Sequence, residues 1–194
     1  MNKFSSLIIH HSSVKRFAVL RRDEDYFSVR KLERQISLYT ALGGNFLLNL
    51  GPDETGCIPE KARSILRRIG QWHKTVAKAL TAKPCYGLLH LPGILCTGEG
   101  RELNLIMLNP PAGESLRLKG LQWLPKKAIL LNSCEELTLT HGTELDPQTI
   151  TLRKLPADRM NDEIQVIRLE FDEEVIRPTD ATVYEDHSRG VAHG

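Results

Sequence analysis

The residues best suited to chemistry in this sequence are its carboxylates, and most of them stand in consecutive runs. The three clearest runs are Asp23-Glu24-Asp25, Glu135-Glu136 and Asp172-Glu173-Glu174. Acid–base catalysis needs carboxyls that converge on one point and titrate differently. Adjacent charges along the chain are instead typical of a solvated surface. These runs therefore predict no catalytic residue.

The four cysteines do not form a metal-binding pattern. Cys57, Cys85, Cys96 and Cys134 include no CxxC pair, and none stands near two histidines at zinc-finger spacing. The spacing therefore predicts no metal site. Small buried or half-buried thiols are the first interpretation of such scattered cysteines. Two disulfides remain an alternative that the sequence leaves open.

Composition indicates an ordinary globular protein without a strongly charged surface. The 194 residues are 41% apolar and 26% charged, and 26 basic against 24 acidic residues give a formal charge of +2. That balance predicts neither a nucleic acid nor an anionic membrane as partner. No apolar run reaches the about 18 residues that span a bilayer. No signal peptide is visible at the start, so the localisation stays unknown.

The first half of the chain is predicted to be helix, strand, helix. Apolar residues at three- and four-residue spacing favour a helix capped by Ser28 and stopped at Gly43-Gly44. A second helix is expected from about Pro59 to Leu80. Between them, residues 45–50 (Asn-Phe-Leu-Leu-Asn-Leu) form an apolar run typical of a strand buried on both faces.

After Lys83-Pro84, short alternating segments replace the helices. Six of them predict the strands of an antiparallel sandwich or meander: Glu102–Leu108, Ser115–Leu118, Ala128–Leu131, Glu136–Thr140, Thr149–Leu152 and Glu163–Phe171. The predicted organisation is a poorly structured start (1–22), a helix–strand–helix unit (23–83), a β-sandwich (98–175) and a flexible tail (176–194). We expect the helical unit to be an appendage separate from the sandwich.

One stretch resembles a known family. The residues from Gly43 to Glu60 read GGNFLLNLGPDETGCIPE, and the helix that follows contains Ile69-Gly70-Gln71-Trp72. This pattern resembles the α-L-fucosidases of glycoside hydrolase family 29, in which a GGN-x-LLN-x-GP segment closes a barrel and an I-G-x-W helix follows. Asn104–Pro111 and Val166–Phe171 are similar more loosely. The resemblance covers about residues 26 to 175.

The resemblance implies both a fold and an activity. The expected fold is an α+β fragment, in which the terminal helix–strand–helix piece of a TIM-like barrel precedes an antiparallel β-sandwich. The family removes terminal α-L-fucose from glycoconjugates with retention, through an aspartate nucleophile and a glutamate acid/base. Retention needs two carboxyls about 5–5.5 Å apart. No cofactor or metal is expected, and fucosylated glycans are expected as ligands only if the missing barrel completes the chain.

Departures from the family predict that this chain is inactive alone. A complete barrel takes about 250 residues, whereas 42 residues precede Gly43 here. The family's nucleophile lies further upstream, and its fucose-binding histidine pair precedes Asp-Gly-Phe, whereas His10-His11 precedes Ser12-Ser13. We therefore assign no catalytic residue. The alternative function is a non-catalytic carbohydrate-binding or interaction module in the sandwich.

Asn49, Gly51 and Pro52 are the candidate substrate-binding residues. They would lie at the C-terminal end of the last barrel strand, the face where such barrels bind ligands. The alternative is that Asn49 bonds to neighbouring backbone and that Gly51-Pro52 makes the exit turn. Without neighbouring strands, segment 45–50 would leave its edges open. We therefore expect self-association or a partner chain through residues 45–50.

Overall fold

Two helices precede an antiparallel sheet in the computed structural model, which describes residues 26–53, 55–85, 91–119, 121, 123–142 and 149–174. The helices are α1 (Val29–Ala41) and α2 (Glu60–Leu80). The strands are β1 (Lys83–Pro84), β2 (Ile94–Glu99), β3 (Glu102–Met107), β4 (Ser115–Leu118), β5 (Lys127–Leu130), β6 (Glu135–His141), β7 (Ile150–Arg153) and β8 (Gln165–Glu170). The predictions for residues 1–22 and 176–194 lie outside the described residues.

The eight strands form one curled sheet in the order β1-β2-β3-β8-β5-β6-β7-β4. Strand β6 joins its two halves, because Leu137 pairs with Ala128 of β5 and Leu139 pairs with Leu152 of β7. A strand that passes from one half to the other turns the corner of the sheet. The predicted α+β class and antiparallel pairing are confirmed. The strands pair in a single curled sheet, which fits the sandwich-like domain that the sequence predicts.

The concave face of the sheet encloses the larger apolar core. Side chains alternate along each strand, so every second residue of β3 and β8 faces inward. Residues from the two ends of the sheet meet across this core, which is why the curled sheet resembles a sandwich. Its buried members from the strands are Leu103, Leu105, Met107, Leu118, Ala128, Leu130, Leu137, Ile150, Leu152, Ile167 and Leu169.

The convex face of β3 and β8 carries the helices. Ile106 and Val166 point away from the inner core and pack with Ile69 and Val76 of α2 in a second apolar cluster. These two strands are buried on both faces, which explains why apolar residues follow one another in Leu105-Ile106-Met107 of β3 and Val166-Ile167 of β8. The expectation that the helices form a separate appendage is therefore wrong. An amphipathic helix needs an apolar surface to cover its stripe, and the convex face of the sheet provides one. Among the described residues, no helix is long and apolar enough to cross a membrane.

The start and end of α1 and the start of α2 follow local sequence signals. The Ser28 side chain accepts a hydrogen bond from the Lys31 N–H at 3.2 Å and caps α1, as predicted. Gly43 ends α1 with φ at +77°, a conformation that glycine adopts without steric cost. Pro59 stands at the N-cap of α2, and the helix begins at Glu60 rather than at the proline itself.

Residues 45–50 do not form the strand that the sequence predicts. The chain there runs without a turn or bend, but no strand is assigned. A strand requires backbone partners on a neighbouring segment, and residues 45–50 make no backbone hydrogen bond to any described residue. The apolar run alone therefore does not produce a strand.

The six predicted strands are all present, with ends that differ by at most two residues. Strand β2 was not predicted, because its segment fell within the expected domain boundary at residues 83–98. Its sequence, Ile-Leu-Cys-Thr-Gly-Glu, has no simple apolar alternation. Tertiary pairing with β3 along six residue pairs defines it instead.

Trp72 links α2 to the sheet. Its side chain is buried, which confirms the prediction that it belongs to the core, and its indole N–H donates to the Ile164 carbonyl at 2.8 Å. Buried tryptophan usually satisfies its N–H in this way. The same carbonyl accepts from the Asn132 side chain at 3.0 Å. The residue just before β8 is thus held from the helical side and from the β5–β6 turn.

We predict that Trp72→Phe lowers the free energy of unfolding by roughly 1–3 kcal/mol, because it removes a buried hydrogen bond and part of the packed ring. Urea denaturation followed by circular dichroism measures the change. Trp123→Phe, at a half-buried loop position, is the matched control and should change stability less. Equal losses in the two variants would contradict the role assigned to Trp72.

Candidate functional site

The three predicted substrate-binding residues lie in the connection between α1 and α2. Asn49, Gly51 and Pro52 are all exposed, on a stretch without regular structure. The Asn49 side chain has no hydrogen bond to any described residue. Among the described residues, Asn49 therefore makes none of the backbone hydrogen bonds that its alternative role would require. Its role in substrate binding stays a prediction.

The first residues of the connection are held against α1. The Gly44 N–H donates to the Tyr39 carbonyl at 2.8 Å, and a Cβ at Gly44 would lie 3.1 Å from that oxygen. Phe46 then stacks on Tyr39 of α1 with ring centroids 5.8 Å apart. Such an offset aromatic pair is worth about 0.5–1.5 kcal/mol beyond its buried area. The start of the connection is therefore fixed against α1.

The side chains of residues 45–49 alternate between protein and solvent. Phe46 and Leu48 are half-buried and pack against the convex-face cluster, whereas Asn45, Leu47 and Asn49 are exposed. Leu47 is 79% exposed. A period of two is the pattern of a strand with one covered face. Residues 45–50 thus have the side-chain pattern of a strand, while their backbone edges are open among the described residues.

The connection and its two ends carry exposed apolar side chains. Leu42, Leu47, Leu50 and Ile58 are large apolar residues that remain exposed along the connection. We call these four residues the apolar rim. Single exposed apolar residues are common on protein surfaces, but several within one short segment indicate a contact surface. The chemistry available here is apolar contact and backbone pairing, not proton transfer.

Asp53 shapes the turn that follows Pro52. Its Oδ1 accepts from the Thr55 hydroxyl at 2.6 Å, from the Thr55 N–H at 2.9 Å and from the Cys57 N–H at 3.0 Å. These hydrogen bonds, that of the Thr55 hydroxyl above all, hold the pKa of Asp53 below its ordinary value. Its carboxylate is therefore engaged in the turn and is not a candidate acid.

Glu33 is the buried carboxyl group of the described residues, and the sequence analysis missed it. The side chain on α1 is 1% exposed, and its Oε2 accepts from the Ile164 N–H at 2.9 Å. Burial raises the pKa of Glu33 from 4.5 to about 7, with a smaller contribution from the nearby charge of Glu163. The Ile164 hydrogen bond and the charges of Arg68 and Arg30 oppose that change. Its signal was available, because position 33 falls on the apolar stripe between Val29 and Ile36.

Glu33 and Glu163 do not form a catalytic pair. Glu33 is closed off from solvent, and Oε1 of Glu163 accepts from the Asn132 side chain at 2.8 Å. Arg30 donates to the Glu163 carbonyl at 2.8 Å. A glycosidase carboxyl must reach the sugar, so these groups serve the contact between α1 and the sheet.

The other sequence candidates behave as surface or core groups. Within the charged runs, Glu135 pairs with Arg159 and Glu136 pairs with Lys127 on the surface. Trp123 is half-buried and packs against the inner core, as expected for a loop anchor. His10-His11 and Asp23-Glu24-Asp25 lie outside the described residues. Across the ranges that the structure describes, no group of three metal-ligating side chains comes together.

Comparison with known proteins connects the helical part of the chain to one family. A family profile described as alpha-L-fucosidase matches residues 11–78, which include α1, the connection and most of α2. The plasma alpha-L-fucosidase of Rattus norvegicus is 36% identical over 56 residues, which are 29% of this chain and 12% of that protein.

Solved structures extend the likeness into the sheet. The alpha-L-fucosidase from Vibrio sp. strain EJY3 superposes with a TM-score of 0.66 and 26% identity over 78% of this chain. Isoenzyme 1 from Paenibacillus thiaminolyticus gives a TM-score of 0.64 and 24% identity over 77% of this chain. These shares exceed the helical part, so they must include the curled sheet. The chain is related to the C-terminal part of the α-L-fucosidases.

The match covers a minority of each relative. This chain spans 27% of the Vibrio structure and 36% of the Paenibacillus one. The shared portion is the helical pair with its connection and the antiparallel sheet. The likeness therefore establishes the relation and the fold, while the activity of the complete fucosidases belongs to those longer proteins.

The raised pKa of Glu33 predicts how stability depends on pH. A carboxyl with a higher pKa in the folded state stabilises the protein fully below the unfolded pKa, and this stability is lost as the pH rises towards 7. Glu33→Gln mimics the neutral form and should remove this dependence. We expect the unfolding free energy of the variant, relative to the parent, to rise by roughly 3 kcal/mol between pH 4 and pH 8.

Glu135→Gln is the control for the pH series. The Ser133 and Arg159 contacts lower the pKa of Glu135, so its contribution is lost as the pH falls. This variant should therefore lose stability relative to the parent at neutral pH and match it in acid. A difference for Glu33→Gln that stays flat across the series would refute the account of Glu33.

Proposed function

We propose that this chain forms the C-terminal part of an α-L-fucosidase-like retaining glycoside hydrolase, which removes terminal α-L-fucose from glycoconjugates. The observation that carries the proposal is that the helical part and the sheet both match the same family, each in its own comparison. Residues 11–78 match the family profile, and the sheet beyond them has the fold of the solved fucosidases. The relation to that family thus extends across both layers of the protein.

Residues 23–83 are, in this proposal, the last helix–strand–helix piece of a (β/α)₈ barrel. Segment 45–50 would become the final barrel strand when a neighbouring strand is present. Its period-two burial supports this, because Phe46 and Leu48 already face the helices and Leu47 faces outward. Asn49, Gly51 and Pro52 would then follow the C-terminal end of that strand, where barrels of this type place their ligands.

Hydrolysis is proposed to require residues that are not among these 194. Retention needs two carboxyls about 5–5.5 Å apart at an open pocket. Glu33 is the one buried carboxyl in the described part of the chain, and it is bonded to the Ile164 backbone. The curled sheet and helices would support the barrel, whereas the nucleophile and the acid/base would come from the remainder.

A chimera tests whether this chain can support fucoside hydrolysis or shares only the fold of the fucosidases. Residues 26–174 replace the matching C-terminal part of the Vibrio enzyme, which has the same fold there at 26% identity. We expect the chimera to hydrolyse an aryl α-L-fucoside within about tenfold of its parent, a barrier change of about 1.4 kcal/mol. The isolated 194-residue chain should show no turnover above a buffer blank.

Two outcomes would contradict the proposal. One is a chimera with native circular dichroism and melting behaviour but no detectable hydrolysis. The other is turnover by the isolated chain that persists through repurification. The matched control is the chimera carrying Phe46→Asp, which places a charge on the covered face of segment 45–50 and should abolish hydrolysis.

In the isolated chain, segment 45–50 is proposed to pair with a second copy. Open backbone edges beside apolar side chains favour association with another strand. Leu47, 79% exposed, and its neighbours in the apolar rim are the residues that such pairing would cover. Fully burying a leucine is worth about 1.5–3 kcal/mol, so the rim supplies much of the driving force.

Leu47→Lys tests the pairing with a single side chain. We expect the parent chain to self-associate at tens of micromolar by light scattering, as adding an edge strand favours, and the variant to be a monomer. Leu124→Lys is the matched control, because Leu124 is 52% exposed but lies in the sheet region away from the connection. A monomeric parent, or equal effects of the two variants, would refute the pairing.

A further inference from the structure

Two cysteines stand opposite each other where the helical layer joins the sheet. Strand β1 pairs with β2 so that Lys83 faces Gly98 and Pro84 faces Thr97. Continuing this antiparallel register places Cys85 opposite Cys96. The Cys85 N–H donates to the Cys96 carbonyl at 2.9 Å, which confirms that the ladder extends to this pair.

The spacing of such a pair suits a covalent link. Directly opposed residues in an antiparallel ladder have Cα atoms about 5.5 Å apart when they share backbone hydrogen bonds. Disulfides span Cα separations of about 4.4–6.8 Å. The Cα spacing of the pair therefore falls within the range that disulfides span, and closing the bond needs only a small approach of the two Cβ atoms.

Both thiols also face the same side of the sheet. Cys85 is 5% exposed and belongs to the inner core, and Cys96 packs against that core as a half-buried residue. Burial raises the pKa of Cys96 to about 12, and the adjacent Cys85 adds to the effect. The two sulfur atoms are thus close enough to influence each other's charge. The other cysteines, Cys57 and Cys134, are exposed and lie elsewhere.

We propose that Cys85 and Cys96 are a disulfide-forming site that fixes the junction between α2 and the sheet. The oxidant is a low-molecular-weight disulfide of the glutathione type. The Cys96 thiolate, the more accessible of the two, attacks one sulfur of the oxidant and releases one small thiol. The Cys85 thiolate then attacks the mixed disulfide at Cys96 and releases the second small thiol. Two protein thiols are oxidised, and one small disulfide is reduced to two thiols.

The link would hold the end of α2 to an edge of the sheet. Strand β1 is two residues long and follows α2 after Leu80. A disulfide at Cys85 closes the short segment up to Cys96 and restricts the unfolded chain. We expect oxidation to raise the midpoint of thermal unfolding by several degrees. The raised pKa of Cys96 slows the attack of its thiolate, so formation should accelerate as the pH rises.

The test uses the full chain with Cys57→Ser and Cys134→Ser, which removes the two exposed thiols. The folded protein is equilibrated with oxidised glutathione at pH 8, and the thiols that remain are alkylated after unfolding. Non-reducing peptide mass mapping then identifies the product. We expect a peptide pair joined through Cys85 and Cys96, which dithiothreitol separates, and a melting midpoint that falls on reduction.

The same chain with Cys96→Ser in addition is the control, and its melting midpoint should not respond to reductant. Full alkylation of Cys85 and Cys96 after equilibration would overturn the proposal. So would a stable glutathione adduct at Cys96 as the only product, or a link that forms only in denaturant. Because the first measurement needs neither Cys85 nor Cys96 changed, a folding defect in the control variant does not affect it.

Discussion

The architecture depends on how one stretch of backbone, residues 163–166, is held at the start of β8. The Ile164 N–H donates to Glu33 of α1, and the Ile164 carbonyl accepts from Trp72 of α2. Asn132 bonds to the same carbonyl and accepts from the Val166 N–H at 2.9 Å. Both helices and the β5–β6 turn thus meet at β8, which lies between β3 and β5 in the sheet. Removing Glu33 or Asn132 would leave a buried backbone N–H without its bond, whereas the Ile164 carbonyl has two donors and would keep one of them.

This contact explains why the helices are not a separate unit. A second hydrogen bond joins the C-terminal end of α2 to β2, because the buried Thr97 hydroxyl donates to the Ala79 carbonyl at 2.5 Å. Asn104 accepts from Arg168 at 3.3 Å and so extends the polar contacts into β3 and β8. Between these hydrogen bonds lies the convex-face apolar cluster. Helix α2 is therefore held to the sheet at Trp72 and at Ala79, and α1 is held through Glu33.

Much of this fold could be predicted from sequence, and the failures have physical causes. Helix stripes, the Ser28 cap and the Gly43 stop are local signals, and each was read correctly. The six alternating strands were located because their pattern is also local. Strand β2 was missed since its pairing with β3, not its own sequence, defines it. The opposite error occurred at residues 45–50, where an apolar run was read as a strand although strand formation requires a neighbour. Glu33 was missed although it stands on the apolar stripe of α1, and its partner could not be foreseen because the Ile164 backbone lies 131 residues further along the chain.

Amide hydrogen exchange tests two features in one experiment: the hydrogen bonds that hold residues 163–166, and the unpaired backbone of residues 45–50. The account predicts that the amides of Ile164 and of Val76 in α2 exchange only by global unfolding, with the same free energy. It also predicts that the amides of Leu47 and Leu50 exchange nearly as fast as in an unstructured peptide when the chain is dilute and monomeric. Helix amides that exchange at a clearly lower free energy than Ile164, or slow exchange at Leu47 and Leu50 in the monomer, would contradict it.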